Sequence, residues 1–229
     1  MEIIIINLER AKERRIEIVT QLHKQDIPYK VLNAFDADDF NNPSYDLITK
    51  RPMKAFANLN PNRRKMRLSD IGCILSHISA IKFAQTLRTD KVLIFEDDCV
   101  LSPDFKERLK LIQEVPNDAD IIYLGGIMDK ISNKRKISEH VWSLKRESIY
   151  GLHSYIVTEK GYKSVIKNMM SMDDTCDSLV LDGIENGSII GYTILPWCTY
   201  QAEGISYIAN RKQTERIWRM SKTYFSEKL

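Results

Sequence analysis

The chain has 229 residues, 43% of them apolar, and a formal net charge of only +3. That is enough apolar side chain for one full core, and it excludes a disordered polyelectrolyte or a small disulfide scaffold. No uninterrupted apolar run approaches the roughly 18 residues a membrane span needs, and no leader pattern opens the chain, so a cytoplasmic protein is expected. Cys73, Cys99, Cys176 and Cys198 show neither Cys-x-x-Cys spacing nor paired histidines, which reads as free thiols rather than zinc ligands or a disulfide framework.

In chain order, the β-branched run Glu2 to Asn7 predicts a buried strand. Leu8 to Lys24 follows with helical spacing, Ile16, Val19 and Leu22 forming its apolar face. Tyr29 to Ala34 predicts a second strand, and the short β-α-β connections favour parallel pairing. Residues 41–67 are polar, proline-bearing and basic, a long loop or lid. Arg51, Lys54, Arg63, Arg64, Lys65 and Arg67 come with no acidic residue among them. A helix is expected from Ser69, as cap, to Leu87, with Ile71, Ile74, Leu75, Ile78 and Ile81 facing a core.

The run Lys91 to Phe105 (KVLIFEDDCVLSPDF) carries the strongest chemical signal. Its apolar strand ends directly in Glu96, Asp97 and Asp98, and Ser102-Pro103 is expected to open the next helix. Carboxylates at the carboxyl edge of a sheet lie where open α/β folds bind ligands. Oxygen donors of this kind suit Mg²⁺ or Mn²⁺ carrying a substrate phosphate, and point to an enzyme that handles a nucleoside diphosphate. The competing reading is a solvated acidic turn. Further strands are expected at Ile121 to Leu124 before Gly125-Gly126, within Ser148 to Thr158, and at Ile189 to Leu195. Helices are expected at Glu159 to Met170 and Thr175 to Asn186, and Lys130 to Arg146 reads as an irregular basic excursion. A basic C-terminal tail, 210–229, with helical character from Gln213, closes the chain.

Several segments together resemble glycosyltransferase family 25. INLERAKERR (Ile6 to Arg15), LSDIGCILSH (Leu68 to His77), LIFEDDCVL (Leu93 to Leu101), GLHSYIVTEKGY (Gly151 to Tyr162), CDSLV (Cys176 to Val180) and Pro196 to Gln201 stand in the family's order at similar spacing. Phe95 replaces the leucine usual before the acidic triplet. The resemblance implies an α/β, GT-A-type single domain, here 1–209, with a mostly parallel central sheet flanked by helices. It also implies a UDP-sugar donor, usually UDP-galactose, a divalent cation, and inversion at the anomeric carbon. Many enzymes of that fold carry a late histidine as an extra metal ligand, whereas the last histidine here is His153.

Within that frame Glu96 and Asp98 are the expected metal ligands, because alternation along an extended chain puts them on one side. Asp97 then faces the ribose or a structural partner, and Glu96 and Asp97 can exchange roles. Asn7 and Leu8, at the end of the first strand, offer backbone to a uracil edge. Arg14 or Arg15 can reach a phosphate, and Asp36 the ribose hydroxyls, unless it is only a turn aspartate. Ser76 and His77 serve the donor or support it structurally; as neighbours on a helix they do not form a nucleophilic pair. Gly125 and Gly126 either let backbone approach the donor sugar or only form a turn. Asp177, in the first turn of a helix capped by Thr175, is the expected general base, with Asp173, Asp174 and Asp182 as rivals.

The expected activity is metal-dependent hexosyl transfer, most simply of galactose, from UDP-sugar to a lipooligosaccharide or other glycolipid acceptor. A glucosyl- or N-acetylhexosaminyltransferase is the alternative. The tail, with Arg211, Lys212, Arg216, Arg219 and Lys222 among apolar residues, is an expected peripheral contact with an anionic membrane. A nucleic-acid-binding module is disfavoured, since no aromatics interleave the basic runs.

Overall fold

The computed structural model describes residues 1–37, 66–128, 131–132, 135–145, 149–203, 205–206, 211–212, 220, 222 and 224–225. The expected lid falls almost wholly outside these residues, as does most of the basic tail.

The first strand, β1 (Glu2–Asn7), is followed by helix α1 (Lys12–Lys24) and strand β2 (Lys30–Asn33). Helix α2 (Leu68–Thr86) leads into β3 (Lys91–Glu96), then β4 (Cys99–Leu101) and a short helix α3 (Phe105–Leu109). Strands β5 (Ile121–Tyr123), β6 (Val141–Ser143) and β7 (Ser154–Thr158) precede helices α4 (Gly161–Met169) and α5 (Cys176–Glu185). Strands β8 (Gly191–Ile194), β9 (Thr199–Gln201), β10 (Ile205–Ser206) and β11 (Arg211–Lys212) complete the described elements.

A seven-stranded sheet runs β2-β1-β3-β7-β5-β8-β6. Pairing is parallel at β2-β1, β1-β3 and β5-β8, and antiparallel on both sides of β7 and at β6-β8. Thus β1, β2, β3, β5 and β8 share one direction, and the expectation of a mostly parallel α/β sheet is met. The period-2 rule assigns the two faces. Ile4, Ile6 and Ile94 pack with α2, α4 and α5, while Ile3, Ile5, Leu93 and Phe95 pack with α1 and with Phe105 of α3. The sheet is therefore covered on both sides, which is why its strands read as continuous apolar runs.

Several local expectations change. The buried stripe of α1 is Ile18 and Leu22 with Ala11 before it, and Ile16 is 65% exposed. Ile16 lies about 200° around the helix from Ile18 at 100° per residue, so both cannot face the sheet. Ser69 is inside α2; Arg67 holds the cap position, its N–H donating to the Asp70 carboxylate at 2.9 Å. Ser102-Pro103 does not open a helix, because Cys99–Leu101 pairs antiparallel with Thr199–Gln201 and Asp104 takes the cap position of α3. The basic excursion contains the edge strand β6. Near the C-terminus, β10 pairs antiparallel with β11. The buried Arg108 guanidinium donates to the carbonyls of Trp197 at 2.6 Å and Phe225 at 2.7 Å, and the Trp197 N–H donates to Tyr224 O.

Candidate active site

The carboxyl ends of β1 and β3 lie side by side, with Ile6 opposite Glu96, and Asn7 stands opposite Asn33 of β2. Glu96 is the last residue of β3, and Asp97 and Asp98 make the tight turn into β4. The alternation expected along an extended chain therefore stops at Glu96. Asp97 and Asp98 face one guanidinium, with Arg14 Nη1 at 3.1 Å from Asp97 Oδ1 and 3.7 Å from Asp98 Oδ2. Glu96 turns elsewhere, to His77.

Each carboxylate has a distinct setting. Asp97 also accepts from Asn7 Nδ2 at 2.8 Å. Burial raises its pKa above the usual carboxylate value, with Arg14 and Asn7 acting in the opposite sense. Glu96 Oε1 accepts from His77 Nε2 at 3.0 Å. Burial opposes charge on Glu96, but the His77 bond and charge outweigh it and the pKa falls. Asp98 Oδ2 accepts from Gln201 Nε2 at 3.1 Å, whereas its buried Oδ1 has no hydrogen-bond partner among the described residues. Burial, and then the neighbouring Glu96 charge, push the Asp98 pKa up to about 7. Two acidic neighbours and an unmatched oxygen make Asp98 the group in this turn most in need of a cation.

Asn7 holds the turn, and its Nδ2 also donates to Ala11 O at 3.1 Å. The carbonyls of Asn7 and Leu8 accept from Ala34 and Ala11, so backbone available to a base at this strand end lies outside those two oxygens. Asp36, beyond β2, is clasped by Arg10 at 2.6 and 3.2 Å, an exposed two-point ion pair. Ser76 is engaged within the fold: its hydroxyl accepts from Phe35 N–H at 2.9 Å and donates to Gly72 O at 2.7 Å. His77, one residue on, points separately into the site, its Nδ1 2.7 Å from the Tyr155 hydroxyl.

Asp177 sits in the first turn of α5, as expected, with Thr175 at the cap position. The Thr175 hydroxyl donates to Ser178 Oγ rather than to backbone. Asp177 Oδ1 and Oδ2 accept from the N–H groups of Ser178 at 3.1 Å and Gly151 at 3.2 Å. Gly151 has φ +79°, a conformation that favours glycine, and this turn aims its N–H at Asp177. Two residues along, His153 O accepts from Glu96 N–H at 2.9 Å. The segment Gly151 to His153 thus links Asp177 to the acidic turn through two peptide units, a span of at most roughly 7 Å.

Three participants are not marked by the sequence as site residues. Gln201 and Arg10 stand in the sequence only as members of the segments Pro196 to Gln201 and Ile6 to Arg15, with no role attached to either. His153 stands out in the sequence only as the last histidine. It is fully buried, neither ring nitrogen has a partner among the described residues, and burial lowers its pKa to about 4. Gly125 lies against Thr199 and His153. A Cβ there would meet Thr199 and, at 2.7 Å, His153 Nε2, so the glycine is needed for internal packing. Tyr155 and Trp197 are fully buried core residues.

Curated relatives match most of this chain by sequence. Human procollagen galactosyltransferase 2 is 27% identical over 170 residues, covering 72% of this chain but 27% of the human protein. A Haemophilus influenzae protein described as a candidate glycosyltransferase is 29% identical over 185 residues, covering 78% of this chain and 62% of that protein. The chain thus spans less than two thirds of either relative, and relatives described as inactive also occur, one of them bovine. Among solved structures, galactosyltransferase LgtC, in complex with donor and acceptor sugar analogues, superposes with a TM-score of 0.41 at 12% identity, covering 83% of this chain and 73% of that one. The model of glycosyltransferase family 25 (LPS biosynthesis protein) matches residues 1–180. Covering well over half of the chain, including the acidic turn at the end of β3, this match shows that the chain belongs to glycosyltransferase family 25.

Proposed function

We propose that the protein transfers a hexose, galactose in the simplest reading, from a UDP-sugar to a saccharide acceptor of the lipooligosaccharide type, with inversion and with a divalent cation. The observation that carries the reading is Asp98. Its buried Oδ1 has no partner among the described residues, and it stands beside a second carboxylate at the ligand-binding edge of the sheet. A hard cation fits this oxygen donor set, and Asp98 with Glu96 would hold Mn²⁺ or Mg²⁺. Such an ion, when bound, supplies Lewis-acid stabilisation to the departing diphosphate.

The chain's own groups account for the remaining work. Asn7 and Arg14 fix Asp97 and so set the shape of the turn. Arg14, spanning two aspartates, balances their charge and lies next to where a diphosphate would bind. Asp36 at the neighbouring strand end is the candidate ribose contact, released from or shared with Arg10. Asp177 is the general base: two backbone N–H groups orient it, and its remaining lone pairs accept the acceptor hydroxyl's proton as that oxygen attacks. His77 orients Glu96 from behind, held in turn by Tyr155.

The test is a donor screen with the purified chain, reading UDP release and the mass of the glycosylated acceptor, with and without chelator. One UDP-hexose is expected to turn over, to stop with EDTA, and to resume with Mn²⁺ or Mg²⁺. Full turnover in chelator would remove the cation from the reading. Binding of UDP with no transfer to any saccharide would remove the activity.

A further inference from the structure

Cysteine spacing along the sequence argues against a thiolate metal site, but the fold brings two distant cysteines to one histidine. Cys73 and His77 are one turn apart on α2, at i and i+4, and so share a face of that helix. Cys176 is the first residue of α5. The Sγ atoms of Cys73 and Cys176 and a ring nitrogen of His77 all lie within 4.8 Å of one another. Cys176 and His77 are buried and Cys73 is half-buried. Among the described residues this is the only such group of three cysteine, histidine or acidic side chains.

From this geometry we infer a second metal site, Cys73–His77–Cys176, selective for a thiophilic cation, Zn²⁺ above all. Two sulfurs and one imidazole are a soft set that suits tetrahedral Zn²⁺ and leaves one position open. They are poorly matched to the Mg²⁺ or Mn²⁺ proposed for Asp98. The surroundings supply what such a site requires of its histidine. A metal-bound histidine almost always donates its other ring N–H to a carboxylate or carbonyl, and His77 Nε2 already donates to Glu96. Nδ1, now against the Tyr155 hydroxyl at 2.7 Å, is then the nitrogen that turns to the metal. Occupancy would tie α2 to α5 and set a cation one residue from Asp177 and one hydrogen bond from Glu96. Its role is that of a clasp beneath the acidic turn. The inference concerns ligands other than Asp98 and Asp177; His77 alone is shared with the proposed transfer site, where it orients Glu96.

The experiment takes the reduced, metal-free full chain and titrates it with Co²⁺, then Zn²⁺. A thiolate-to-cobalt charge-transfer band saturating at one equivalent, and bleached by Zn²⁺, is expected. Cys73→Ser and Cys176→Ser should each lose the band, and Cys198→Ser should keep it. Glu96→Gln keeps all three ligands and should weaken Zn²⁺ binding about 10- to 100-fold, as loss of an outer-shell partner does. Should the serine variants fail to fold, alkylation of the wild-type chain with and without Zn²⁺, mapped by mass spectrometry, decides alone. Protection of Cys73 and Cys176 supports the site. No zinc-dependent protection, or protection of Cys99 and Cys198 instead, overturns it.

Discussion

The carboxylates at the end of β3 and the one at the start of α5 are held in opposite ways. In the acidic turn, every partner is a side chain brought from elsewhere: Asn7 and Arg14 for Asp97, His77 for Glu96, Gln201 for Asp98. At Asp177 the partners are the backbone N–H groups of Gly151 and Ser178. A cluster of like charges held by long-range contacts is costly to assemble and gains from a cation. A single carboxylate held by neutral dipoles keeps its orientation whether or not a cation is present. The first arrangement suits binding and the second suits proton transfer.

The strongest way to break that contrast is Asp98→Asn. Transfer should fall by about 1000-fold, the scale of the several kcal/mol a Lewis-acid cation supplies, while the fold persists. Steady-state rates across a Mn²⁺ titration measure it, and a variant rescued to wild-type rate by excess metal would place the ligand elsewhere. Next is Asp177→Asn, expected to cost roughly 100-fold or more in kcat with UDP affinity unchanged. If calorimetry instead shows UDP binding lost, Asp177 belongs with the donor and the division between the two regions fails.

A smaller effect sharpens the electrostatic half. With its folded pKa raised to about 7, Asp98 retains a proton in the folded chain at pH values where the unfolded chain, near 3.9, has released it. Metal-free stability should therefore fall as pH rises from about 4 to 7 and level off above that. Asp98→Asn removes this contribution, and should stabilise the metal-free protein by about 1–3 kcal/mol at pH 8 and by little at pH 4. Urea melts at the two pH values check the sign. The smallest effect is expected for Arg10→Ala, which breaks an ion pair whose arginine side chain is 43% exposed. Exposed pairs contribute about 0–1 kcal/mol, so the same melts should barely move.

What could be read from the sequence follows the range of the interactions. The strands β1 and β3 announce themselves through four-residue apolar runs, and α2 through apolar residues on one face. By contrast, β4 and β9 are three residues each and exist only because Cys99–Leu101 meets Thr199–Gln201. No local pattern encodes that pairing, and it is the same contact that brings Gln201 to Asp98. The acidic triplet was legible, but not how it divides, because a turn replaced the strand alternation after Glu96. Arg14 was legible as a cation near the site, while its position across two aspartates depended on the angle of α1. The buried His153 carried no signal beyond its identity.

Arg108 gives the molecule a timetable. Its guanidinium is buried against carbonyl oxygens that lie 89 and 117 residues downstream, at Trp197 and Phe225, with Asp104 as a nearby partner. During synthesis at about 5–20 residues per second, Arg108 leaves the ribosome some 6–23 s before Phe225 does. Through that interval the Phe225 carbonyl does not yet exist, so the layer around α3 lacks that contact while the chain is being made. Completion of the packing around α3 thus waits on the segment that carries Phe225, and a ribosome paused before residue 225 is expected to display a nascent chain in which α3 exchanges amide protons faster than in the finished protein.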